Sequence, residues 1–229
     1  MVTLERQDGV FILRMNDGEN RFNADSVSAL IAALDEIERC EEPTALVTTG
    51  TGKFYTNGLD LQYISTLTGE QAQAFIARVH DLLAKLLYFP TITVAAVNGH
   101  VFAGGAMLML AHDFRVMRSD RGYVCLPEVD IQISFTAPMS HLIESRVPKL
   151  TAHEMMVTGK RYTAQEAQQK QIVDAIAEEA RVLPEAIAIA KAHIGKPRAT
   201  LSAIKRGLYP QLPQLMREFA ETPLPVTTA

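Results

Sequence analysis

Segments typical of strands and segments typical of helices alternate along roughly the first 180 residues of this chain. Short apolar runs at 44–49 and 91–97 have the composition of buried strands, whereas apolar side chains recur at helical spacing over 24–39. This alternation predicts an α/β fold, because strands buried on both faces need helices to cover them. Beyond the core the pattern is helical only. We therefore expect a core domain of residues 1–180 and a C-terminal helical region of residues 181–229.

Local signals place several element boundaries. Asp8 and Gly9 interrupt two strand-like runs, which predicts a hairpin. Thr68 and Thr163 are each followed three positions later by Gln or Glu, the pattern of a capping box at a helix start. Further expected elements are an apolar helical stripe over 75–87 ended by Pro90, a helix at 104–111, strands at 114–117 and 172–176, and C-terminal helices with Pro184 and Pro197 in first turns and Gly195 at a stop.

Composition limits the classes of partner. The chain has 229 residues, 48% of them hydrophobic, which suits one ordinary globular domain. Its 22 basic and 26 acidic side chains give a net charge of −4, so no general attraction to nucleic acid is expected. Cys40 and Cys125 form neither a disulfide framework nor a metal-binding pattern, which favours a reducing, cytoplasmic compartment. No targeting segment or bilayer-length apolar run is visible, and we expect no membrane partner.

Glu128 is an acid in a mainly apolar stretch, 124–131, and it follows two glycine-bearing turns at 57–60 and 98–105. An acid in apolar surroundings and backbone N–H groups freed by glycine suit the movement of a proton beside a carbonyl. This combination is the strongest functional signal in the sequence. The apolar neighbours expected to raise the pKa of Glu128 towards neutrality by desolvation are Val124, Leu126, Val129 and Ile131.

The order of these segments resembles the crotonase (enoyl-CoA hydratase/isomerase) superfamily over nearly the whole chain. The resemblance implies the ββα spiral fold of that family, with a C-terminal helical extension. The amino-acid sequence of the later segments is most similar to plant-type Δ3,Δ2-enoyl-CoA isomerases. The segments that carry the resemblance are 20–24, 52–61, 90–99 with 104–105, 117–131 and 205–210.

The resemblance implies that the N–H groups of Leu59 and Gly104 form an oxyanion hole for a thioester oxygen. Removing the proton between a thioester carbonyl and an alkene produces an enolate, and two converging donors stabilise the charge on its oxygen. Glycine lets the main chain approach the ligand, and Gly104 is expected to open a helix.

One departure from the family pattern selects the reaction. Hydratases of this family carry two glutamates, and in this chain Met107 stands at the first of those positions while Glu128 stands at the second. Hydration needs a group to activate water and a second proton donor, whereas a proton shift from C2 to C4 needs one carboxyl group. The sequence therefore predicts an isomerase with Glu128 as the catalytic residue.

The same resemblance implies a coenzyme A site in the matched segments. Arg21 and Lys53 could pair with phosphates, but solvated surface charges are an equal alternative. Asp60 is expected to cap the next helix and so fix the turn at Leu59. The substrate-binding set is completed by Phe22, Ala24, Gly58, Leu61 and Gly105.

Three neighbouring residues keep alternative interpretations. Met107 is either core packing or part of an acyl pocket, since it cannot transfer a proton. Asp130 is a structural partner or an assisting acid, and His100 is a loop residue or a titrating assistant. No metal or redox cofactor is expected, because a proton moves and no net electrons do.

The expected partner is an acyl-CoA substrate, and the resemblance implies a homotrimer or a dimer of trimers. Two alternatives stay open: another acyl-CoA reaction on the same fold (hydration, thioester hydrolysis or decarboxylation), and a catalytically silent scaffold. Apolar positions that could form the contact between copies or cover the acyl pocket are Leu201, Ile204, Leu208, Leu215, Met216 and Phe219.

Overall fold

The computed structural model describes residues 1–222, and the strands form two sheets. The main sheet has six strands, of which β1 and β2 are antiparallel and the others parallel. The second sheet has three parallel strands. In spatial order the main sheet is β1 (Val2–Gln7), β2 (Val10–Met15), β3 (Ala45–Gly50), β5 (Thr93–Val97), β7 (Phe114–Arg118) and β9 (Ala175–Ala177), and the second is β4 (Phe54–Thr56), β6 (His100–Phe102) and β8 (Val124–Cys125).

The two sheets alternate along the chain. Each of β3, β5 and β7 in the main sheet is followed by one strand of the second sheet, which produces the repeating turns of the expected ββα spiral. The helices between and after them are α1 (Ala24–Arg39), α2 (Leu61–Ser65), α3 (Gly69–Leu87), α4 (Gly104–Leu110), α5 (Ala137–Arg146), α6 (Lys149–Thr158), α7 (Ala164–Gln169), α8 (Glu179–Lys191), α9 (Arg198–Leu208) and α10 (Leu212–Glu221).

The main sheet separates two apolar clusters. In β2, Val10 and Ile12 belong to the cluster beneath α8, whereas Phe11 and Leu13 belong to the larger cluster that includes the buried faces of α1 and α3. This is the side-chain alternation of a strand covered on both faces. A fully buried aliphatic side chain of this kind contributes roughly 1.5–3 kcal/mol.

Several boundaries follow the local sequence signals. α1 spans the predicted residues, and capping boxes begin α3 at Thr68 and α7 at Thr163. The hairpin at Asp8 and Gly9 is confirmed, with both residues at positive φ.

Two predictions near the C-terminal region are wrong. The strand predicted at 172–176 is displaced to Ala175–Ala177, because Ile172 and Val173 are buried in the connection that precedes it. α8 begins at Glu179, so Pro184 lies inside the helix and not in its first turn. Burial of the α8 face against the sheet offsets the hydrogen bond that a proline cannot donate.

The predicted boundary near residue 180 falls at the start of α8, which packs on the main sheet. α9 is attached by Lys205, whose buried ammonium donates to Asp113 Oδ2 at 2.7 Å and to the Thr91 carbonyl at 3.0 Å. No helix within residues 1–222 combines the length and the apolar character that crossing a bilayer requires.

Candidate active site

A cavity of about 470 Å³ lies between the second sheet, α2, α3 and the segment that precedes α5. Its wall includes Glu128 together with Leu59 and Gly104, three residues that the sequence places far apart. Arg21 and Leu61 of the predicted substrate-binding set also line it. The structure thus brings the predicted acid and the two predicted oxyanion donors to one cavity.

A close backbone contact joins the two glycine-bearing segments. Gly58 has a φ of +75°, and a Cβ atom there would lie 2.8 Å from the Gly104 nitrogen. On its other side the segment pairs with Phe22, whose N–H donates to the Gly58 carbonyl at 2.7 Å and whose carbonyl accepts from the Asp60 N–H at 2.9 Å. These bonds use the groups on either side of Leu59 and leave the Leu59 N–H out of the pairing.

Gly104 is the first residue of α4, as predicted, and the residue before it is strained. Ala103 has φ 50° and ψ −128°, a conformation that a residue with a side chain seldom adopts. Within residues 1–222, neither the Gly104 N–H nor the Leu59 N–H donates a hydrogen bond to protein. Two backbone donors are therefore available at one wall of the cavity.

Glu128 is nearly inaccessible, with 5% of its surface exposed. Desolvation raises the pKa of its carboxyl to about 7, against a smaller lowering by a hydrogen bond from its own backbone. Its Oε2 atom is buried and has no partner in the described part of the chain. The expected direction of the pKa change is confirmed, although two of the neighbours expected to cause it, Val129 and Ile131, are 48% and 42% exposed.

Met107 lies in the cavity wall and is 1% exposed, so it lines the pocket while packing in the core. Among the described residues, the cavity wall carries two carboxyl groups, those of the buried Glu128 and the exposed Asp130. A thioether thus replaces the carboxyl group of the two-glutamate pattern. The Met107 side chain can contact an apolar group but cannot transfer a proton.

Other predicted residues lie beneath or beside the cavity wall. Phe22 is 1% exposed, and a Cβ atom added at Gly104 would lie 3.5 Å from its ring, so the ring occupies the core behind this glycine. Asp60 caps α2 as predicted, because its Oδ1 accepts from the N–H groups of Gln62 and Tyr63. The remaining residues of the predicted set that do not line the cavity are Ala24, Lys53, Gly58 and Gly105.

The predicted phosphate partners have other contacts in this structure. The guanidinium of Arg21 is paired with Glu19 at 2.6 Å, and Lys53 lies 5.4 Å from the centre of the Phe54 ring. Arg161, which sequence reasoning missed, lines the cavity.

His100 is outside the cavity wall, in an aromatic cluster with Phe54, Phe102 and Tyr123. Burial and nearby cations lower the pKa of His100, so its ring is neutral at physiological pH. The geometry gives it no contact with the proposed reacting groups.

The side of the cavity formed by α2, α3 and α5 could not be read from the sequence. α2 and α3 supply Ile64, Ala72 and Ile76, and the start of α5 supplies Thr136 and Met139. Ile76 belongs to the apolar stripe of α3 but is only partly buried, which is a weak indication in the sequence that it lines a cavity. Nothing local marks the segment before α5, because its role depends on tertiary packing.

Comparison with known proteins agrees with this architecture. Residues 5–220 match the family model described as enoyl-CoA hydratase/isomerase. The chain is 32% identical to the peroxisomal enoyl-CoA delta isomerase 2 of Arabidopsis thaliana over 93% of each protein. It is also 32% identical to a putative enoyl-CoA hydratase of Thermus thermophilus, over 93% of this chain and 85% of that protein.

Solved structures show the same fold. A Pseudomonas syringae protein of the enoyl-CoA hydratase/isomerase family superposes with a TM-score of 0.89, at 24% identity, over 97% of this chain and 98% of the other. The apo structure of a Mycobacterium tuberculosis enoyl-CoA isomerase gives a TM-score of 0.87, at 24% identity, over 96% of both chains. At this level of identity the likeness establishes the fold alone.

Proposed function

The chain belongs to the enoyl-CoA hydratase/isomerase family, and from that premise we propose that it is a Δ3,Δ2-enoyl-CoA isomerase. The observation that carries the proposal is the content of the cavity: within residues 1–222 it has one buried carboxyl group, Glu128, and two backbone donors without protein partners, at Leu59 and Gly104. The name of the Arabidopsis relative, an enoyl-CoA delta isomerase, supports the same reaction.

In the proposed reaction the thioester oxygen accepts from the N–H groups of Leu59 and Gly104. The carboxylate of Glu128 removes a proton from C2, and the resulting enolate places negative charge on the oxygen that these donors hold. The same carboxyl then returns the proton to C4, which leaves the double bond between C2 and C3. Glu128 ends each turnover in its initial ionisation state.

Met107 favours isomerisation over hydration. Adding water across the double bond needs a second positioned acid or base, and a thioether supplies neither. The burial of Glu128 also suits a shuttle, because a carboxyl with a pKa of about 7 can take up and release a proton near neutral pH. The coenzyme A part of the substrate is assigned to the rim with Arg21 and Leu61, which requires the Arg21–Glu19 pair to open.

Two substrates separate the candidate reactions. Incubation with 3-hexenoyl-CoA should give 2-hexenoyl-CoA without 3-hydroxyacyl-CoA. Incubation with 2-hexenoyl-CoA should give little hydration. Rapid hydration, free coenzyme A or loss of carbon dioxide would replace the isomerase assignment with a hydratase, a thioesterase or a decarboxylase.

The role of Glu128 is tested by Glu128→Gln, which keeps the shape and removes the base. Turnover of 3-hexenoyl-CoA should fall at least about 10²-fold with substrate binding retained, on the scale of general acid–base catalysis. The matched control is Glu144→Gln, because Glu144 is an exposed glutamate on α5. Equal rates for both variants and the unmodified protein would support a different base or a silent scaffold.

The isolation of Glu128 predicts the fate of the transferred hydrogen. Since Oε2 is shielded from water, a fraction of the product formed in D₂O should carry the original C2 hydrogen at C4. Mass spectrometry of single-turnover product measures this fraction. Complete deuteration at C4 would indicate a base that exchanges with solvent faster than it reprotonates the enolate.

The pH dependence of kcat/KM provides a further prediction. The base must be ionised to remove a proton, so kcat/KM for 3-hexenoyl-CoA should rise with pH through about 7 and then level off. A profile that is flat between pH 5.5 and pH 8.5 would contradict a base with this pKa.

We also propose that the protein assembles as a homotrimer or a dimer of trimers. On α9, Ile204 and Leu208 are 56% and 63% exposed, an apolar surface suited to contact between copies. Light scattering after gel filtration measures the assembly. A monomer at micromolar concentration would exclude it.

A further inference from the structure

A buried histidine lies behind the side of the cavity formed by α2, α3 and α5. His80 on α3 is 3% exposed, and its Nε2 atom is 2.8 Å from Oγ1 of Thr136. Thr136 lines the cavity and also caps α5, where Oγ1 accepts weakly from the Met139 N–H at 3.4 Å. The mechanism proposed above uses neither residue.

The available hydrogen-bond partners determine which ring nitrogen of His80 carries the hydrogen, and therefore whether His80 or Thr136 is the donor. Burial lowers the pKa of His80 to about 4, so the ring is neutral and carries one N–H. The other ring nitrogen, Nδ1, is buried and has no partner within residues 1–222. If the ring hydrogen were on Nδ1, a buried donor would be unsatisfied, which is more costly than an unfilled lone pair. The favoured tautomer therefore has Nε2 donating to Thr136.

This tautomer leaves the hydroxyl proton of Thr136 without a partner. A threonine hydroxyl has one donor and two acceptor positions, and Oγ1 already accepts from His80 Nε2 and the Met139 N–H. No acceptor for its proton is found in the described part of the chain. Thr136 lines the cavity, so the proton is available to a molecule bound there.

We propose that this hydroxyl selects acyl chains that carry an oxygen, a hydroxyl or keto group, beyond the reacting double bond. The inference rests on the isomerase function proposed above. The lining residues around it include the apolar Ile76, Phe135 and Met139, so a plain hydrocarbon tail packed against them would leave the donor facing carbon. An oxygen on the tail would accept from the hydroxyl of Thr136, and this is a specificity contact that takes no part in the proton transfer.

α10 holds the donor pair from behind. The Phe219 ring packs against the His80 ring in a T-shaped arrangement, with ring centres 4.5 Å apart and planes at 74°. The end of α10 is attached to α3 by Gln73, whose Nε2 lies 2.9 Å from the Thr222 carbonyl and 3.1 Å from the Phe219 carbonyl. The histidine is thus held by the Phe219 ring and by its hydrogen bond to Thr136, and its donor direction is fixed before any substrate binds.

The test compares 3-octenoyl-CoA with analogues that carry one hydroxyl group at C6, C7 or C8. At least one analogue should show a kcat/KM about tenfold above that of the plain substrate, the effect expected for one satisfied donor. Thr136→Val should abolish this preference while still isomerising 3-octenoyl-CoA. Thr136→Ser, which keeps the hydroxyl, should retain it.

Ser134→Ala is the matched control, because Ser134 lines the same cavity and its loss should leave the preference intact. If the valine variant does not fold, Thr136→Cys replaces the hydroxyl by a weak donor of similar size and should lose most of the preference. The inference is overturned if no analogue exceeds 3-octenoyl-CoA, or if the preference survives in the variants without the hydroxyl. Failure to isomerise even 3-octenoyl-CoA would instead overturn the proposed function together with this inference.

Discussion

Replacing Glu128 by glutamine should stabilise the protein at alkaline pH while removing its activity. The folded-state pKa of Glu128 is about 7, whereas the ordinary value is 4.5. Because the folded state binds the proton more tightly than the unfolded chain, the neutral carboxyl contributes its full stability below about pH 4.5. That contribution is lost as pH rises through about 7.

The size of the effect follows from the difference between these pKa values. Each pKa unit corresponds to 1.36 kcal/mol, so the ionised Glu128 destabilises the fold by about 3 kcal/mol above pH 8. Glutamine has a similar shape and no charge, and the variant should be more stable by about this amount at pH 8. At pH 5 the advantage should shrink to about 1 kcal/mol or less.

Urea unfolding at fixed protein concentration, at pH 5 and at pH 8, measures the free energy of unfolding of both proteins. Glu144→Gln is the control, since that side chain is exposed and should give the pH dependence of the unmodified protein. An equal free-energy difference between Glu128→Gln and the unmodified protein at the two pH values would refute the reasoning. It would mean that Glu128 is solvated in the folded state.

Two further changes test the supports of the site and of the C-terminal helices by chemical denaturation. Gly58→Ala should lower the free energy of unfolding by about 2–4 kcal/mol and reduce turnover, because its Cβ would lie 2.8 Å from the Gly104 nitrogen. The control is Gly18→Ala, also at positive φ but with nothing within 4 Å of the added Cβ, which should lower the free energy of unfolding by about 1 kcal/mol. Equal losses of stability would contradict this explanation. Lys205→Met should lower the free energy of unfolding by about 3–5 kcal/mol, because it leaves the Asp113 carboxylate without its buried partner. The control Lys191→Met breaks an exposed pair and should lower it by less than about 1 kcal/mol. Similar losses of stability for the two variants would exclude a buried ion pair.

Much of the fold could be predicted because its signals are local. α1 and the start of α3 are marked by apolar spacing and by capping residues within a few positions of each other. α5 and α6 lack such a signal, since their apolar residues do not form one regular stripe and their burial is decided by neighbours distant in sequence. Pro184 was misplaced for a related reason, because packing of α8 on the sheet outweighs a local rule.

In the candidate site, too, residues marked by local signals could be predicted, whereas contacts between distant segments could not. Glu128 was identifiable as an acid in apolar surroundings, and Asp60 as a helix cap, because both signals lie in the adjoining residues. The meeting of Leu59 with Gly104 depends on how the glycine-bearing segments pack, which the sequence suggested only through resemblance. His80 on α3 and Thr136 at the start of α5 are joined by a single hydrogen bond. No pattern in the sequence predicts this contact.

The attachment of α10 by Gln73 has a practical consequence for protein engineering. Because α10, the last helix within residues 1–222, touches the histidine behind the pocket, fusions placed after it could alter substrate preference without disturbing Glu128. Affinity tags for kinetic work therefore belong before β1, an edge strand of the main sheet. Conversely, a library of substitutions along α10 offers a route to new acyl preferences that leaves the reacting groups untouched.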